Sequence, residues 1–113
     1  MKALLLVGAL AVAVAGCAET FVVRPTQLGV FNDELKTNSG VQKILRLETV
    51  DGRMVELNPP AVVTITMSDG SKLEFCSPLR ADFDGGFLSL HHACGRPARL
   101  EGQEISKVEV QEW

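Results

Sequence analysis

Apolar and polar residues alternate with a period of two over most of the chain that follows Gly40. Short runs rich in Val, Ile, Leu and Thr are separated by turn residues at intervals of about ten residues, which is typical of antiparallel β-structure. Asp51-Gly52 suits a two-residue hairpin turn, because both residues tolerate a positive φ. We therefore predict an all-β domain, with one helical turn at 103–106 and strands at 44–50, 53–57, 61–67, 72–77, 86–91, 99–101 and 107–113.

The order of apolar residues after Ala61 resembles that of small five-stranded barrels of the Sm-like or Src-homology type. The resemblance covers about half of the chain and is carried by strand residues on both sides of an Asp-Gly turn: Val63, Ile65, Met67, Asp69-Gly70, Leu73, Phe75, Phe87-Leu88, Leu90, Ile105, Val108 and Val110. It implies a small antiparallel barrel of about five strands, with the hairpin at 44–57 as an N-terminal addition. A small β-sandwich is the alternative architecture.

The first sixteen residues have the layout of a secretory signal. Lys2 precedes an apolar run from Ala3 to Ala15, which is too short to cross a bilayer because a spanning helix needs about 20 residues. Val14-Ala15-Gly16-Cys17 resembles the lipobox of bacterial lipoproteins. The resemblance implies a signal peptide at 1–16 and an acylated Cys17 as the first residue of the mature chain. A secreted protein with a free Cys17 thiol is the alternative.

The residue after Cys17 bears on the membrane in which the lipoprotein resides. In lipoproteins of the enterobacterial type, Asp at this position favours retention in the inner membrane, whereas this chain has Ala18. The resemblance therefore implies an outer-membrane lipoprotein facing the periplasm, with the inner membrane as the alternative. A triacylated terminus would hold the chain permanently, since each buried methylene contributes about 0.8 kcal/mol.

The mature chain divides into a tether and one domain. Residues 17–40 are irregular and rich in turn residues, with Pro25 interrupting a short apolar run, so we predict a lipidated N-terminus and tether there, containing at most one short strand. Residues 41–113 form the predicted β domain. If it were fully flexible, the tether would reach about 25 Å.

Cys76 and Cys94 are the two cysteines that remain if Cys17 carries lipid. An even pair in an oxidising compartment predicts a disulfide, which would stabilise this small domain by about 3 kcal/mol. The alternative is a metal site formed by His91, His92 and Cys94 with Cys76 as a fourth ligand. Successive strand residues point to opposite faces, so the two histidines reach one ion only if the chain turns there.

Candidate catalytic groups are sparse in this sequence. Ser89 and His91 share a strand face, but no Gly-x-Ser-x-Gly elbow surrounds the serine. Asp82 and Asp84 precede two glycines, which is compatible with a carboxylate pair or the start of a calcium loop, yet the later ligands of an EF-hand are missing. We predict no enzymatic activity and no cofactor, and we interpret Arg80, Asp82 and Asp84 as part of a ligand or partner loop.

The net charge of the chain bears on the class of partner that it binds. The chain has a net charge of −3, which argues against nucleic acid, because nucleic-acid binding needs clustered Lys and Arg. We therefore predict a membrane-anchored, non-catalytic interaction or structural module that binds an envelope protein or a cell-wall component. A small-ligand or metal-binding lipoprotein and an inhibitor of an envelope enzyme are the alternatives.

Overall fold

The computed structural model describes residues 19–36 and 44–112. Most of these residues lie in β-strands, so the predicted all-β class is confirmed. A 3₁₀ segment spans Pro25–Lys36 and a 3₁₀ turn spans Gly102–Glu104. The nine strands within the described ranges are β1 Thr20–Val23, β2 Leu45–Glu48, β3 Met54–Leu57, β4 Ala61–Met67, β5 Lys72–Cys76, β6 Leu79–Asp84, β7 Phe87–His92, β8 Ala98–Glu101 and β9 Ile105–Glu112.

The strands form three antiparallel sheets. One sheet has the order β1-β9-β4-β5, the second pairs β2 with β3, and the third has the order β6-β7-β8. The expected closed barrel is not formed by the described strands. Prolines explain two of the breaks, since Pro59-Pro60 and Pro78 lie between neighbouring strands and have no backbone N–H to donate to a ladder.

One hydrophobic core holds the three sheets together. The alternation in the sequence is realised in β4, where Val63 and Ile65 are buried, and in β9, where Val108 and Val110 are buried. Burial of each such side chain contributes about 1.5–3 kcal/mol. The other sheets add apolar residues to the same cluster, namely Leu45, Leu47, Leu57, Leu79, Ala81, Leu88, Leu90 and Leu100.

Residues 20–36, which the sequence predicts as part of a tether, belong to the fold, whereas the predicted boundary at residue 40 lies outside the described residues. β1 pairs with β9 in the largest sheet. Leu28 and Phe31 of the 3₁₀ segment are both 0% exposed and lie in the core. The segment lacks a strong apolar period, so its order depends on the core that it helps to cover.

Two amide side chains of the 3₁₀ segment satisfy backbone groups of neighbouring strands. The Asn32 amide donates to the carbonyl oxygen of Ala81 at 2.9 Å and accepts from the Ala81 N–H at 2.8 Å. The Gln27 side-chain oxygen accepts from the N–H of Glu48 at 2.8 Å. Buried backbone groups need hydrogen-bond partners. These contacts supply such partners to β6 and β2, which are the edge strands of their sheets next to the 3₁₀ segment.

The strand register defines two ends of the domain. Thr20, Gln111, Val62 and Cys76 form one row across the four-stranded sheet, and we call this the disulfide end. The opposite end, which we call the turn end, contains the turn at 68–71 and the Gly85-Gly86 turn. Its backbone is joined by Ser68 N–H to Glu104 O at 2.7 Å and by Gly102 N–H to Gly86 O at 2.8 Å.

Candidate functional site

The disulfide end contains the cysteine pair that the sequence predicts. Cys76 and Cys94 are joined by a disulfide with a Cα–Cα distance of 5.5 Å. Cys76 ends β5 and is only 7% exposed, whereas Cys94 lies in the exposed loop after β7. The bond therefore fastens a surface loop to the four-stranded sheet.

His92 packs beside this disulfide. Its Nε2 lies 2.9 Å from the carbonyl oxygen of Arg96, and a carbonyl only accepts, so Nε2 carries the hydrogen when the ring is neutral. Its Nδ1 lies 3.4 Å from the Sγ of Cys94. The Phe75 ring meets the imidazole edge to face at 4.8 Å between centroids. The imidazole is thus fixed in both tautomer and orientation.

A shallow cleft of about 390 Å³ opens next to His92. It is lined by Pro78, Arg80, His91, His92 and Ala93. Arg80 and His91 are direct cross-strand partners of β6 and β7, and both side chains are exposed. The cleft therefore offers two nitrogen donors suited to an anionic group.

The structure does not assemble the predicted alternative metal site. The sulfur of Cys94 is consumed by the disulfide, and His91 and His92 follow each other on a strand, so their side chains leave opposite faces. Within residues 19–36 and 44–112, no three His, Cys, Asp or Glu side chains are grouped so that they could hold a metal ion.

Arg80, Asp82 and Asp84 lie on a strand, which corrects the predicted loop. They alternate along β6 with Leu79 and Ala81, which are buried. The glycines after Asp84 have φ values of 57° and 87° and form the hairpin turn into β7. The Arg80 Nε contacts the Asp82 carboxylate at 3.2 Å. The pattern compatible with the start of a calcium loop is therefore a strand end and a tight turn.

These side chains belong to the outer face of the three-stranded sheet, which also contains residues that no motif in the sequence identifies. Arg99 lies over the ring of Phe87, with Cζ 4.3 Å from the centroid. Asp82, Ser89 and Arg99 form one cross-strand row. The alternation of Leu79, Ala81 and Phe83 is the signal that identifies this face. By register and exposure, the outer face comprises Arg80, Asp82, Asp84, Phe87, Ser89, His91, Arg99 and Glu101.

Two exposed carboxyl groups with lowered pKa values lie in hairpin turns. The Thr49 hydroxyl donates a hydrogen bond to Asp51, and together with Arg53 it lowers the pKa of that carboxyl. The Ser71 hydroxyl and N–H donate to Asp69 at 2.6 and 2.9 Å and lower its pKa. These carboxylates stabilise turns.

Comparison of this chain with protein-family models, with curated proteins and with solved structures finds no match. In the described part of the chain, no helix combines the length and the apolar character needed to cross a membrane. The predicted signal peptide at 1–16 and the predicted lipidation of Cys17 lie outside the described residues.

Proposed function

We propose that this chain is a lipoprotein anchored in the outer membrane through Cys17, facing the periplasm, and that its β domain is a non-catalytic interaction module. The observation that carries the proposal is the start of the fold at Thr20, three residues after the lipobox cysteine. Three residues span at most about 11 Å. On this view the domain lies against the membrane and has no long tether.

The short link also gives the domain an orientation. Thr20 shares a sheet row with Cys76, and strands are spaced about 4.8 Å apart, so the disulfide lies about 14 Å from the start of β1 across the sheet. The disulfide end would therefore face the membrane. The turn end, on the opposite side, would face the periplasm and its partners.

The outer face supplies the residue types expected of a binding surface. Phe87 is 36% exposed and lies near the turn end, with Arg99 stacked on its ring. Aromatic residues and arginine carry a large share of the binding energy in protein interfaces. We therefore assign recognition of an envelope protein or cell-wall component to the half of the outer face that contains Phe87, Arg99 and Asp84.

Anchoring is tested first with Cys17→Ser in the full chain. We expect this variant to lose the lipid, which mass spectrometry detects. We also expect it to lose membrane attachment, which flotation of membranes in a density gradient measures. Flotation that is equal in Cys17→Ser and in the natural chain would overturn the anchor.

The binding role is tested by complementation of a null strain. Confinement near a membrane raises the effective concentration of a weak binder, so we expect a Gly-Ser insert of about 30 residues after Cys17 to weaken complementation. Phe87→Ala with Arg99→Ala should abolish it, whereas Met54→Ala, at a residue that is 65% exposed outside this face, should not. Full complementation by the double variant would exclude the outer face.

Small-ligand binding is a second candidate because of the cleft at Arg80 and His91. The ligand would be a carboxylate or phosphate, since both side chains donate hydrogen bonds. Titration calorimetry of the purified chain with inorganic phosphate and acetate tests this. Heat that disappears in Arg80→Gln supports the cleft, and no heat from either anion eliminates it.

A further inference from the structure

The two cysteines of the Cys76–Cys94 disulfide are unequally exposed to solvent. Cys76 is 7% exposed at the end of β5, and Cys94 lies in an exposed loop. An incoming thiol or disulfide must approach a sulfur along the S–S axis, so access decides which sulfur reacts. Access from solvent favours Cys94.

A histidine nitrogen lies next to the sulfur of the more exposed cysteine. The Nδ1 of His92 is 3.4 Å from the Cys94 Sγ, while Nε2 donates to the Arg96 carbonyl. The neutral ring therefore turns its proton-accepting nitrogen toward the sulfur. A histidine beside a cysteine favours the thiolate, which is the reactive form.

Gly95 allows the loop to close on this ring. A Cβ added at residue 95 would lie 3.0 Å from Cε1 and 3.4 Å from Nε2 of His92. Any larger residue would push the imidazole away from its place between Phe75 and the disulfide. Gly95 therefore allows the loop to keep Nδ1 of His92 next to Sγ of Cys94.

We propose that Cys94 is the exchange-reactive cysteine of this protein and that His92 Nδ1 accepts its thiol proton. The reacting compound is a disulfide RSSR or a thiol RSH, either small or protein-borne. This proposal does not depend on the lipid anchor or on the binding role of the domain.

The oxidation proceeds in two balanced steps. In the reduced chain, the Cys94 thiol gives its proton to His92 and the thiolate attacks RSSR, so that a Cys94–SR bond forms, the S–S bond of RSSR breaks, and the leaving RS⁻ takes up the proton from His92 as RSH. The Cys76 thiolate, its proton lost to water, then attacks Cys94 Sγ and expels the second RS⁻, which is protonated. Two electrons pass from the cysteines to RSSR, which becomes two RSH. Reduction by RSH is the reverse sequence.

The first test locates the mixed disulfide in the oxidised native chain. The full chain is incubated with reduced glutathione, quenched with acid and mapped by peptide mass spectrometry, which separates Cys17 from the other two cysteines. We expect glutathione on Cys94 in about tenfold excess over Cys76, because Cys94 is the more exposed of the two cysteines. Equal labelling, or an excess on Cys76, overturns the assignment of Cys94.

The second test isolates His92. The reduced full chain reacts with oxidised glutathione at pH 7, and the initial rate of glutathione addition to Cys94 is measured in the natural chain, in His92→Gln and in the control Met54→Gln, at an exposed residue outside the cleft and the outer face. His92 raises the fraction of Cys94 that is thiolate but lowers the nucleophilicity of that thiolate, so the two effects partly cancel. We therefore expect the rate to be about threefold lower in His92→Gln than in the natural chain. Met54→Gln should retain the natural rate. Equal rates in the two variants overturn the role of His92. The mapping test alone then decides whether Cys94 is the exchange-reactive cysteine.

Discussion

The two ends of the domain are held by different kinds of interaction. At the disulfide end, a covalent bond and a packed imidazole fasten the loop around Cys94 to the largest sheet. At the turn end, the hairpins close through Gly70 and Gly85-Gly86 with positive φ values, and backbone hydrogen bonds join them to the 3₁₀ turn. The disulfide stabilises the fold mainly by lowering the entropy of the unfolded chain, whereas the turn glycines stabilise the local backbone conformation of the folded chain. Changes at the two ends should therefore differ in size and in reach.

The largest effect is expected from removal of the disulfide. Cys76→Ala with Cys94→Ala should lower the free energy of unfolding by about 3 kcal/mol, because a loop closed across 18 residues regains its entropy in the unfolded chain. Urea unfolding measures the loss. Hydrogen exchange should accelerate more at 93–97, where the released loop also opens locally, than at 68–71, and equal acceleration at both places would contradict the separation of the two ends.

A smaller effect is expected from the turn end. Gly86→Ala should cost about 1 kcal/mol, because φ is 87° there and an added Cβ disfavours that conformation. An added Cβ meets nothing within 4 Å, so the cost is conformational and not steric. Gly86→Asn should cost less, since Asn tolerates positive φ better. Thermal unfolding ranks the two variants, and an equal cost would point to a different cause.

The next prediction tests whether Arg99 contributes to partner binding or to the stability of the fold. Arg99→Ala should destabilise the fold by only about 0.5 kcal/mol, since a cation–π contact at an exposed site is weak. Its effect on binding should be larger, because the same side chain lies over the ring of Phe87 in the proposed partner face. Urea unfolding and complementation are compared in one variant. Strong destabilisation would mean that Arg99 is structural.

The smallest effect concerns pH. Hydrogen bonds from the side chain and backbone of Ser71 lower the pKa of Asp69 below its ordinary value of 3.8. A lowered folded-state pKa stabilises the fold above the unfolded value, and this stabilisation is lost as pH falls through the folded value. In Ser71→Ala, NMR titration should find the Asp69 pKa closer to 3.8. The stability difference from the natural chain should be present at pH 7 and should shrink below about pH 4.

Local patterns were sufficient for most strands. The alternation at 61–67 predicted β4 with its observed bounds, and Asp51-Gly52 located the hairpin between β2 and β3. Leu79, Ala81 and Phe83 carry the same period in β6, but Pro78 and the acidic residues before two glycines led to the prediction of a loop. The signal for this strand was present and was outweighed by turn chemistry.

The sequence by itself determined the all-β class, the pairing of Cys76 with Cys94 and the positions of the glycine turns, because each depends on short-range periodicity, on residue count or on backbone conformation. Only the tertiary structure decided that residues 20–36 join the fold and that Thr20 shares a row with Cys76. Leu28 and Phe31 have no local period that predicts burial. They are ordered by a core built from distant strands, and the row is set by hydrogen bonds between residues far apart in the chain, which no local pattern encodes.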